Sequence, residues 1–303
     1  MLVQVLLLWI GCARRFLIDL ATFWLQGMRR SLSEGWDASA YFGWTLWCVG
    51  MALAATATTD LFDQRAEGSG IPQLKSILAG TDLSGHLSWR TALTKAVGLV
   101  FSIGSGLAVG KEGPFAALAA AVANGLSRVP FLGEGRGNDA SMRQMLAAAV
   151  AAGVTAVLGA PVGGVLFSIE VTSTYYQVSS LWRGFLCSLA CVFTFEVLNA
   201  LRRDELFYET EFLATDVGWD TVAFGCLAMA CGALASLLVL LTARLQVARR
   251  VLLRRYGRIG RYTLVGVASF VVATALFLTP SLRKSDKQAI NDLFQENRPG
   301  QGG

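Results

Sequence analysis

Four stretches of this 303-residue chain, 38–59, 144–169, 221–243 and 262–282, contain no charged residue. Each is long enough to cross the roughly 30 Å hydrocarbon core of a bilayer as a helix. Shorter apolar stretches lie at 184–201 and on both sides of Lys111 and Glu112. Composition agrees, with 54% of residues hydrophobic and 16% charged, a balance that a soluble domain of this length does not show. The chain therefore reads as an all-α integral membrane protein with several spans. The lipid bilayer is its first expected partner.

Within that frame, Lys111 and Glu112 sit between two uncharged runs of 15 residues each, 96–110 and 113–127. Each run is shorter than the roughly 20 residues of a spanning helix, and the flanking glycines and Pro114 break a continuous one. Broken helices at membrane depth line a site or a cavity, so the pair suggests an ion pathway. Helices are expected at 2–28, 41–60, 71–80, 89–107, 112–127, 140–153, 156–172, 179–201, 220–256 and 262–279. Several of these only half-cross, and the small residues of 116–123 and 147–152 are expected at close helix contacts. The segment 129–139, with Pro130, Gly133, Gly135 and Gly137, reads as a polar linker.

Charge is unevenly spread over the chain, whose net value is +5. Arg244, Arg249, Arg250, Arg254, Arg255, Arg258 and Arg261 crowd between two apolar runs, whereas 204–220 carries Asp204, Glu205, Glu209, Glu211, Asp216 and Asp220. The positive-inside rule places an arginine loop in the cytoplasm and an acidic loop on the other side. Apolar spans bracket the arginines, which argues against nucleic acid as a partner and for anionic headgroups. The apolar start, 1–12, has no basic residue before it and no cleavage site after it, so it does not read as a signal peptide. The six cysteines lie in apolar segments without CxxC pairs and read as buried small residues, with no disulfide framework and no metal site.

Three glycine-rich motifs remain. In 68–72, Gly-Ser-Gly-Ile-Pro, Ser69 stands before a helix opened by Pro72. A helix start offers free N–H groups and partial positive charge, and a hydroxyl adds a donor, so this end suits a dehydrated anion as well as a plain N-cap. In 104–114 a second helix starts at Glu112, whose carboxylate can compete for the same kind of site when ionised. A structural ion pair between Lys111 and Glu112 is the alternative. In 159–170 an apolar run ends at Glu170, which reads as a helix-end or interfacial carboxylate able to pair with Arg183. Gly110-Lys111 is not a phosphate loop, since Ser105 and Glu112 stand where that loop needs glycine and a hydroxyl. The single histidine, His86, in an expected exposed loop, gives no base for a catalytic triad, and no metal-ligand cluster appears, so no enzyme and no cofactor is expected.

Together these motifs, GSGIP at 68–72, GKEGP at 110–114 and GAPVGGVLFSIEVTST at 159–174, resemble the CLC family of chloride channels and chloride/proton exchangers. The resemblance implies inverted repeats of tilted and broken helices, chloride as the bound substrate, and a homodimer with one pathway per subunit. It implies that Ser69 coordinates the central chloride with Gly68, Gly70 and Ile71 around it, and that backbone amides at Gly113, Pro114 and Phe115 build an outer site. Glu112 would be the gating glutamate, with Lys111 contributing pore electrostatics. Exchangers of the family carry a proton-relaying acid directly after the residue matching Glu170, and here that residue is Val171. The expectation is therefore a passive, voltage-gated chloride channel, with residence in the plasma membrane. The alternatives are a proton-coupled exchanger and a non-conducting truncated subunit that modulates full-length partners.

Two departures accompany the resemblance. Ala116 and Ala117 replace the bulkier residue and frequent histidine that follow GKEGP in the family. No later GxFxP motif, pore tyrosine or CBS domain is present. The expected organisation is a complete first repeat at 1–202, an extracellular acidic loop at 203–219, the start of an incomplete second repeat at 220–296 and a polar tail at 297–303, as in a fragment or truncated form.

Overall fold

The computed structural model describes residues 38–128, 139–172, 178–202 and 220–279, with isolated positions between 18 and 31. Among the described residues every regular element is helical: α1 (Ala38–Phe62), α2 (Ile71–Leu78), α3 (Trp89–Gly104), α4 (Glu112–Ser127), α5 (Asp139–Leu158), α6 (Pro161–Phe167), α7 (Val178–Arg202) and α8 (Asp220–Leu278). Two 3₁₀ turns, Gln64–Ala66 and Ser84–Leu87, flank α2, and a π turn, Ser168–Thr172, extends α6. Four segments are long and apolar enough to cross a membrane: Ser39–Phe62, Ala140–Leu158, Ser180–Val197 and Thr221–Leu278. The shorter helices α2, α4 and α6 start where the sequence supplies a start signal, Pro72, Pro114 and Pro161, just after a glycine-containing turn.

Helices α3, α4 and α5 share the main core, where Ala116, Ala120, Ala123, Val150 and Val154 are fully buried. Their contact is close because the side chains are small. A Cβ on Gly153 of α5 would lie 2.8 Å from Ala119 Cβ and 2.9 Å from the Phe115 carbonyl oxygen of α4. A second cluster joins α5 to α7 through Ala148, Ala152, Ala156, Cys187, Cys191 and Phe195. The third fastens α1 to the last turns of α8: Trp44, wholly buried, donates Nε1–H to the Ala273 carbonyl at 3.1 Å, and Tyr41 meets Thr274 Oγ1 at 3.0 Å and the Phe277 ring edge-on.

The link from α1 to α2 is pinned by Asp63. Its Oδ1 accepts from Arg65 N–H at 3.0 Å and its Oδ2 from the Thr91 hydroxyl at the start of α3, where Ser88 supplies the N-cap. Burial pushes the carboxyl upward, but the Thr91 and Arg65 hydrogen bonds and the nearby Arg65 and Arg90 cations outweigh it and hold Asp63 below the usual aspartate value.

Three expectations are corrected. The helices expected at 140–153 and 156–172 divide elsewhere, because Gly153 serves close packing inside a continuous α5. The break falls at Gly159, in the left-handed region with φ 70, followed by Pro161. The arginines of 244–261 lie on helix and not in a loop, although the division expected between 256 and 262 is present as a sharp break at Gly257, φ 56 and ψ −130. His86 lies in a 3₁₀ turn and is half-buried, not free in solvent. The expected helix at 2–28, the linker and the acidic loop lie largely or wholly outside the described residues.

Candidate functional site

Two of the helix starts meet. Gly68 and Gly70 both take positive φ, 85 and 86, so the chain turns sharply around Ser69 and delivers it to the first turn of α2. Ser69 Oγ accepts from Ile71 N–H at 3.4 Å, a capping contact made one residue before the N-cap glycine, and its own proton stays free to donate. Opposite stands α4, whose buried Gly113 fits against Ser69. A Cβ there would lie 2.8 Å from Ser69 Cβ and 3.3 Å from Ile71 Cδ1. The two turns therefore touch through a position that only glycine fills.

Beside this contact a cavity of about 940 Å³ opens, lined by Gly68, Ser69, Ile71, Glu112, Gly113 and Pro114, by Thr56 and Thr59 of α1, by Lys95 of α3, and by Arg249 and Arg261 of α8. Six of the residues singled out in the sequence thus share one wall. Gly70, Lys111 and Phe115 stay off its lining. Gly70 is buried between Ala117 and Lys95, and Phe115 is buried in the main core. Val171 lies in the π turn away from the cavity, which the neighbouring Phe167 does line. Glu170 is exposed, and among the described residues it forms no ion pair with Arg183.

The set of backbone donors is smaller than expected. Pro114 has no N–H, and Phe115 N–H is engaged by the Lys111 carbonyl at 3.0 Å, the first bond of α4. Of the three expected amides, Gly113 is left to face a ligand. Glu112 begins the helix beside it, and its Oε2 folds back to within 2.9 Å of where a Gly110 Cβ would stand. The carboxylate therefore lies over the break itself, and no Lys111–Glu112 ion pair forms among the described residues. A carboxylate at a helix N-terminus is well placed electrostatically.

Sequence reading missed Lys95. It is buried, and Nζ donates to the Gly68 carbonyl at 2.8 Å, covering an oxygen that would otherwise present negative charge to the cavity. Its signal was a lysine one residue before an uncharged run, in a helix otherwise read as a plain span. Thr56 and Thr59 also line the wall, but their hydroxyls donate to carbonyls of their own helix, Ala52 at 3.0 Å and Thr56 at 2.8 Å, and offer the cavity lone pairs only. Among the described residues no cluster of metal ligands appears.

The structure is thus a helical bundle in which two helix starts and charged side chains converge on one cavity. Comparison with known proteins makes the class definite. The model of the voltage gated chloride channel family matches residues 50–301. Chloride channel protein clh-3 of Caenorhabditis elegans is 39% identical over 214 residues, which cover 68% of this chain and 21% of that protein. The H(+)/Cl(-) exchange transporter 5 of Homo sapiens is 34% identical over 261 residues, 84% of this chain and 31% of that protein. A crystal structure of a eukaryotic CLC transporter superposes with a TM-score of 0.80 at 30% identity, over 97% of this chain and 52% of that one. A slow cyanobacterial Cl-/H+ antiporter shares the fold, with a TM-score of 0.69 at 19% identity. The chain belongs to the CLC, or voltage gated chloride channel, family, and has its all-helical fold. It spans about a fifth to a third of the length of these curated relatives.

Proposed function

We propose that this chain carries the Ser69–Glu112 half of a CLC anion pathway and serves chloride transport across a membrane. One observation supports this above the others: Gly113 backs onto Ser69, so the two motif turns, more than 40 residues apart, bring a hydroxyl, an amide and the Glu112 carboxylate to one cavity. Chloride would lie near Ser69 and Gly113, with Glu112 as a tethered competitor that leaves when protonated or displaced. Lys95 would keep the Gly68 carbonyl from repelling the anion. A dimeric assembly, with a second copy or a longer subunit, belongs to the same proposal.

For the mode of transport the leading reading is proton-coupled exchange, since relatives covering 84% of this chain bear the name of H(+)/Cl(-) exchange transporters. Here the comparisons shift the balance away from the passive, voltage-gated mode expected from sequence. That second reading keeps a specific support in Val171, which cannot relay a proton, and in the 39% identity to a protein named as a chloride channel. Nothing in the relatives' names supports the plasma membrane in particular.

Liposomes containing the chain, with potassium permeability supplied by an ionophore, separate these readings. Chloride efflux with matching proton movement supports exchange, efflux at constant pH supports passive conduction, and no efflux from folded protein removes transport by this chain alone.

A further inference from the structure

We infer that the ion pair between Glu67 and Arg249 is an electrostatic valve at the rim of the anion cavity, setting the charge an incoming ion meets before it reaches Ser69. This rests on the reading of that cavity as an anion pathway. Glu67 immediately precedes the Gly68–Ser69–Gly70 turn, and Arg249 comes from α8, far along the chain, yet its Nη2 donates directly to Glu67 Oε1. Both side chains line the cavity and both are half-exposed, 40% and 48%. The companion pair sits deeper: Arg261 is 23% exposed and bonds Asp60, which is 6% exposed, while Arg261 Nη2 reaches Glu67 Oε2 at 3.8 Å. Exposure therefore separates an inner pair from an outer one that is open at the cavity's edge.

The other charges on the wall are already committed or belong to the site. Lys95 holds the Gly68 carbonyl and Glu112 lies over the Gly110 break. Arg249 is thus the lining cation whose charge is cancelled only by a half-exposed partner, a kind of pairing that water and salt readily loosen. While Glu67 holds it, the rim is neutral. An arriving anion is attracted by Arg249 and repelled by Glu67 in about equal measure, so the charge it meets is set by the balance of the two. Removing Glu67 and removing Arg249 must then act in opposite directions, whereas a merely structural pair would fail in the same way from either side.

The test reads local potential without requiring transport. A thiol introduced by Ser69→Cys in the full chain is modified with an anionic and a cationic methanethiosulfonate reagent, and the rates at that peptide are followed by mass spectrometry. At low ionic strength Glu67→Gln should raise the anionic-to-cationic rate ratio by about threefold or more, and Arg249→Gln should lower it by a similar factor. The double variant should return near the parent, Arg249→Lys should leave the ratio nearly unchanged, and about 1 M salt should compress all differences. Should either glutamine variant fail to fold, Glu67→Ser and Arg249→Ser carry the same comparison. Ratios that move in the same direction, or not at all, overturn the valve. Opposite shifts in protein that moves no chloride would uphold the valve and defeat the transport reading, while chloride movement with unchanged ratios would do the reverse.

Discussion

The residues that matter at the cavity act through what they leave unbonded. Ser69 accepts a bond and keeps its proton, Phe115 has spent its amide, and Glu112 lies over a break with no ion pair to hold it among the described residues. Replacing Glu112 with Gln removes the charge that competes with chloride while keeping the shape. In a conducting assembly the variant should stay open, with a flattened pH dependence of chloride flux, and flux that keeps the wild-type pH profile would remove Glu112 from the gate. Asp63 carries a different pH effect. Its folded pKa lies below the usual aspartate value, so its contribution to stability is present above about pH 4 and fades as pH falls through the lowered value. Asp63→Asn should flatten the acid side of the unfolding profile, by less than about 1 kcal/mol because the group is largely solvated, as measured by melting in detergent across pH 3 to 6. That Ser69 and Glu112 stand at helix starts was legible in the sequence because Pro72 and Pro114 announce those starts, whereas Gly113 entered only through the family resemblance. Lys95 was not legible, because its role is set by a carbonyl 27 positions earlier.

Among the elements, the spacing of apolar residues located the helices well and their divisions less well. Gly153 and Gly159 look alike in sequence, yet one sits inside α5 against α4 and the other ends the helix in the left-handed region. The difference lies in the neighbour: Ala119 and the Phe115 carbonyl occupy the space a side chain at Gly153 would need. Gly153→Val should therefore separate α4 from α5 and cost about 3 kcal/mol, read as a lower melting temperature and a poorer yield of monodisperse protein. A melting temperature equal to wild type would mean that the two helices yield more easily than their contact implies. Ala substitution at Gly225, which has open space around it, is the control.

For the whole molecule, the pairing of α1 with the end of α8 is the feature no local pattern could supply. Trp44 and Ala273 are 229 positions apart, and the buried carboxylate of Asp60 is met by an arginine 201 positions away. Asp60→Asn should loosen that docking by about 3 kcal/mol, since it leaves Arg261 without its inner partner. Disulfide formation between thiols introduced by Tyr41→Cys and Thr274→Cys would report this, slowing by at least about tenfold in the variant. An unchanged rate would show that Trp44 and its apolar neighbours hold the two helices together without the charge pair.

The sense of that docking reaches further. Asp60 meets Arg261 at one end while Tyr41 meets Thr274 and Phe277 at the other, so the two helices run in opposite directions. The foot of α1 and the turn that carries Ser69 are thus held beside Arg249 and Arg261, and if those arginines face the cytoplasm, as the positive-inside rule leads one to expect, so does this entrance. Seen this way, the part of α8 after the Gly257 break is a compass needle laid along the first helix. An ion entering from the cell interior would meet Glu67 and Arg249 first and Ser69 next, and a membrane-impermeant blocker of this entrance should work from that side alone.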